Sequence, residues 1–151
     1  MTAISLVLLS LLGAVIAAVV GTVWYSPATP MGRLHMKYVG CDNLTKDQMK
    51  KKMEEAKPMM PKMYLAQTFL SLLTSFAVVF VVSQSLRSGL TLGMALGFVA
   101  FNWLCFMVPV VGSGIIWGNC DRKLAWKKFF SDILFNLVIV LLVGLMTSFF
   151  V

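Results

Sequence analysis

Four long stretches of apolar side chains divide this sequence, and the segments between them carry almost all of its charge. The first 32 residues hold no charged side chain and include ISLVLLSLLGAVIAAVVGTVWY, residues 4–25. The second stretch covers residues 63–86, the third starts at Leu90 and reads as a span over 90–111, and the fourth covers 129–150. Each can cross a hydrocarbon layer of about 30 Å, which takes about 20 helical residues. The alternating segments of about ten residues that mark a membrane β-barrel are missing. The expected fold is all-α: one membrane domain, residues 1–151, built as a polytopic bundle of four transmembrane helices joined by connections at 26–62 and 112–128. The first stretch has no basic lead-in and a longer apolar core than a signal peptide, so it reads as a retained helix.

Composition agrees with that pattern. Hydrophobic residues make up 59% of the chain and charged residues 13%, about half the charged share of a soluble domain. Charge placement then predicts orientation. Arg33, Lys37, Lys46, Lys50, Lys51, Lys52, Lys57 and Lys62 lie in the first connection, and Arg122, Lys123, Lys127 and Lys128 follow the third span; only Arg87 falls between the second and third. Basic residues in alternate connections predict that both termini face away from the cytoplasm. The net charge of +7 is thus chiefly a topology signal. It points to anionic headgroups and away from nucleic acid, for which no soluble basic domain exists. The plasma membrane is the expected location.

The first connection is long enough for structure of its own. Thr45-Lys-Asp-Gln48 fits a capping box, and Met49, Met53 and Ala56 then share one face of a short helix otherwise covered by Lys and Glu. Pro58 and Pro61 separate it from the second span. Before it, Pro27, Pro30 and Gly32 punctuate WYSPATPMG. Trp24 and Tyr25 are placed to anchor the first span in the interface, as is Trp117 near the second basic connection. Pro109 and VVGSG predict that the third span kinks, or stops near Gly112 in an interfacial turn, with the turn the preferred reading.

Small residues recur every four positions in two spans: Gly13, Ala17 and Gly21 in the first, and Gly89, Gly93 and Gly97 in the third. Such faces let helix backbones approach closely, within one chain or between two copies. Polar residues suggest a second pattern. Gln67 and Ser71 lie toward the start of the second span, Asn102 about 14 Å and Asn136 about 10 Å inside the membrane by helical rise, and Asp132 is four residues before Asn136. These five predict a polar cleft open to the cytoplasm. Asp132 has a second reading as a carboxylate in the first turn of the last helix, complementing its positive end, and the two asparagines have one as interhelical hydrogen-bonding groups.

Catalytic signals are missing. There is one histidine, His35, and no nucleophile elbow, phosphate loop or zinc-protease motif. Cys41, Cys105 and Cys120 suggest no disulfide scaffold, and with His35 they match no metal-ligand spacing. Neither cofactor nor metal is expected.

Gly21-Thr-Val-Trp24-Tyr25-Ser26-Pro27, then Gly32, the Lys37-x-x-Gly40 turn, a glycine-rich third span and LAWKKFFSD, resembles the membrane family called domain of unknown function 1761. The likeness covers nearly the whole chain. It implies a small four-span integral membrane protein, and it brings no catalytic residues. Two functions follow from the residues themselves: a transport or channel-like component using the polar cleft, or an accessory protein binding a partner or anionic lipid through the basic connection. Membrane lipids, a second copy and another membrane protein are the partners considered.

Overall fold

The computed structural model describes residues 2–116 and 121–151, so Trp117 and Cys120 lie outside the described residues. Helix α1 (Ala3–Trp24) starts where the Thr2 hydroxyl accepts a hydrogen bond from the Ser5 N–H. Helix α2 (Pro30–Tyr38) opens on proline, whose fixed φ suits a first helical position. Helix α3 (Lys46–Ala56) carries the capping box: Thr45 Oγ1 accepts from Gln48 N–H, and Gln48 Oε1 accepts from Thr45 N–H. Then follow α4 (Met60–Arg87), α5 (Leu92–Asn102), a π turn (Trp103–Met107), α6 (Val108–Ile116) and α7 (Arg122–Ser148). Four rods, Ala3–Trp24, Met60–Arg87, Leu92–Ile116 and Arg122–Ser148, are long and apolar enough to cross a membrane. The protein is an all-α, multi-pass membrane bundle.

Its core is built mostly from small and β-branched side chains. Leu9 and Ala17 of α1, Val78, Val79 and Val82 of α4, Ala95 and Val99 of α5, and Ile139, Val140 and Val143 of α7 form one buried cluster. The large side chains point the other way: Leu8, Leu11, Phe69, Phe98, Phe106 and Leu134 are exposed. This inversion suits a lipid environment, where dispersion between closely approaching helices holds the bundle and bulky groups meet acyl chains.

The two glycine stripes have different fates. Gly13 is buried where α1 meets α4: a Cβ there would stand 2.9 Å from Ser75 Cβ and 3.0 Å from Val143 Cγ1. Gly21 faces Phe135. Gly89 is not on a helix face at all. With φ +81° it ends α4, in the left-handed conformation that favours glycine, while Leu90 N–H donates to Ser85 O. An added Cβ at Gly97 would meet nothing within 4 Å. The stripes therefore do not meet within the chain. Gly97→Leu is expected to leave the thermal midpoint of the monomer in detergent unchanged; a fall in midpoint together with loss of a dimer in light scattering would place a second copy on that face.

The third rod continues as helix through Pro109 and Gly112 to Ile116, so the expected stop near Gly112 does not occur. Its adjustment lies upstream. Proline removes one helical donor and crowds the carbonyl four residues before it. The π turn widens the backbone there, with Val108 N–H reaching Trp103 O. It also aims Trp103 at α7, where Nε1 donates to Ile133 O at 3.2 Å.

Candidate functional site

At the end of the bundle where α1 stops and α7 begins, the WYSPATPMG segment folds into an elbow. Pro27 cannot extend α1, and the chain turns with Thr29 N–H donating to Ser26 O at 2.9 Å. Thr29 Oγ1 lies 2.7 Å from Trp24 O and 2.9 Å from Ser26 O, sharing its hydroxyl proton between them, and accepts from Gly32 N–H at 2.9 Å. That brings the first turn of α2 onto the end of α1. A Cβ on Gly32 would stand 1.8 Å from Ser26 O, so only glycine permits the approach.

The elbow aims its aromatic pair into the bundle. Trp24 Nε1 donates to Ser131 Oγ at 3.3 Å, and Tyr25 Oη donates to Asp132 Oδ1 at 2.8 Å. Asp132 Oδ1 also accepts from Lys128 Nζ in an ion pair within α7. The Lys128 side chain is only 9% exposed, and its ammonium lies 5.1 Å from the centre of the Tyr25 ring and 5.9 Å from that of Tyr38. Burial of a cation here is thus offset by a carboxylate and two aromatic faces. Tyr25 packs on Phe135 at 5.3 Å and on His35 of α2 at 5.1 Å. The His35 Nδ1 is buried without a partner. Burial pushes the His35 imidazole below its ordinary pKa, the Lys128 charge adds to that, and the Asp132 carboxylate opposes both.

Among the described hydrogen bonds, those joining the five residues expected to form a cleft stay within single helices. Gln67 Nε2 donates to Ser71 Oγ at 3.4 Å on its own exposed face of α4. Asn102 Nδ2 donates to Phe98 O, and Asn136 Nδ2 to Asp132 O, each one turn back on its own helix. Asn102 instead borders an apolar groove of about 300 Å³ between α4, the π turn and α7, lined also by Thr74, Val78, Trp103 and Phe106. Asp132 belongs to the elbow contact and lies about three turns inside α7, because the helix starts at Arg122. Its carboxylate therefore answers Lys128 and Tyr25, and the cap of α7 is Asp121, which accepts from Leu124 N–H. Lys128 and Tyr38 were hidden among the topology charges and the loop aromatics. The four-residue spacing of Lys128 and Asp132 is the one local signal that marks them as a pair.

On the far side of the elbow, α3 stands clear of the bundle with no buried residue. One of its faces, with Leu44 and Met60, lines an open groove of about 630 Å³ in which Met49 and Met53 are flanked by Lys46, Lys50, Lys57 and Glu54. Lys52 points elsewhere: its Nζ donates to Val39 O at 3.2 Å and lies 3.3 Å from Cys41 Sγ, tying α3 to the end of α2. Among the described residues no group of three or more His, Cys, Asp or Glu stands close enough to hold a metal ion. The family model for a protein of unknown function, DUF1761, matches residues 8–148. No curated protein and no solved structure matches the chain.

Proposed function

We propose that this chain, which belongs to the DUF1761 family, is an accessory membrane protein that engages anionic lipid headgroups through α3. The observation that carries this reading is the composition of the open face of α3: a methionine stripe edged by Lys46, Lys50 and Lys57 against one carboxylate, Glu54, on a helix that the bundle leaves uncovered. Such a helix lies in an interface with its apolar stripe toward the acyl boundary and its lysine stems extended to phosphates. The alternating basic connections support a cytoplasmic placement of that face, and in this reading both termini lie on the other side and the plasma membrane supplies the anionic surface. Solute transport finds less support, because Gln67, Asn102 and Asn136 each hydrogen-bond within their own helix. A polar path would have to be completed between copies.

The test compares full-length protein in nanodiscs of zwitterionic lipid with nanodiscs containing phosphatidylserine, reading amide exchange over residues 46–57. Protection is expected to rise with the anionic lipid. The K46Q/K50Q/K57Q variant is expected to lose that rise, three lysines near the surface being worth on the order of 3 kcal/mol. Equal exchange in the two lipids, unaltered by the substitutions, would rule the reading out.

A further inference from the structure

We infer that His35 is a proton-operated clasp: neutral, it holds α2 against the end of α1 and the start of α7, and on taking up a proton it releases α2 from the bundle. The geometry of the pocket carries this. The imidazole rests on the Tyr25 ring at 5.1 Å, and its Nδ1 is buried with no partner. A neutral imidazole tolerates one such nitrogen, since it needs to satisfy only one N–H. An imidazolium must satisfy two, and the Nδ1–H would reach neither water nor an acceptor.

The groups facing His35 are engaged with one another. From the end of α1 comes Tyr25, whose hydroxyl proton is committed to Asp132. From α7 come Lys128 and Asp132, already paired with each other. From α2 itself comes Tyr38, which lies against Lys128. One carboxylate would then serve two buried cations, and the histidine is the one on a helix that can leave. The release would carry further along the chain, because Lys52 ties α3 to Val39 at the end of α2.

The sign follows from linkage. Burial and Lys128 hold the folded-state pKa of His35 below its free value, so the clasp is at full strength above the free pKa and weakens as pH falls through it toward the folded one. Each pH unit between the two weakens the clasp about tenfold.

His35 is the one histidine in the chain, so histidine labelling of the full-length protein in nanodiscs yields one titration curve by NMR. Amide exchange over residues 30–38, corrected for intrinsic rates, is measured across the same pH range. Opening of α2 is expected to track the His35 titration, while His35→Gln and His35→Phe, which cannot take up the proton, are expected to be flat in pH whether their α2 is docked or loose. The proposal is overturned if wild-type α2 stays protected through the titration. It is equally overturned if either variant opens along the wild-type curve, since a group other than His35 would then be responsible. The readout is α2 itself and does not depend on lipid binding by α3.

Discussion

Gly32→Ala is expected to lower the stability of the folded protein by about 3 kcal/mol, toward the upper end of what overpacking costs. The added Cβ would stand 1.8 Å from Ser26 O, 2.4 Å from Ser26 C and 2.7 Å from Tyr25 O. All three are backbone atoms inside a turn whose carbonyls and N–H groups are committed to Thr29, so no rotamer change relieves the contact. The elbow must open, and Tyr25 then leaves Asp132. Thermal unfolding in detergent, followed by the fluorescence of the four tryptophans, measures the effect. Gly97→Ala serves as control, its Cβ pointing into open space; equal midpoints for the two variants would refute the elbow as a close-packed element.

Asp132→Asn should be nearly as damaging. It leaves Lys128 with its ammonium buried and its carboxylate gone, and breaking a buried pair from one side costs about 3–5 kcal/mol. Asp132 is a quarter exposed, which places the expected loss near 3 kcal/mol or below. Removing both charges, in K128M/D132N, is expected to restore most of the stability, because the desolvated cation goes with its partner. Chemical or thermal unfolding of the two variants in one detergent decides this. If the double variant is no more stable than D132N, the stranded Lys128 charge is not what makes D132N costly.

The elbow joins two segments of the sequence, WYSP near the start of the chain and KKFFSD toward the end. They are 107 residues apart in sequence yet in contact through Trp24 with Ser131 and Tyr25 with Asp132. Read separately, Trp24 and Tyr25 look like interface anchors and Asp132 like a helix-end charge. Together they close one end of the bundle, and α2 is laid over the closure.

Hydropathy alone determined that four helices are long and apolar enough to cross a membrane, because span length is a property of uninterrupted local runs. The capping box at Thr45 and the break at Pro27 were equally legible, since each is a backbone requirement met within a few residues. What only the tertiary structure decided is rotation: which side of each helix meets a neighbour. In a membrane the apolar residues surround the helix, so no amphipathic stripe announces its inner face. Gly13 and Gly97 look alike in sequence, yet one lies under Ser75 and the other faces open space. Asn102, Asn136 and Asp132 lie at depths that permit a cluster, yet the two amides turn back on their own helices while Asp132 meets Tyr25. The third rod passes Pro109 by widening one turn upstream, and the same turn brings Trp103 to α7, a contact 30 residues away. Span number comes from local burial free energy along the chain; helix facing comes from close contacts between distant segments, and those exist only once the helices have come together.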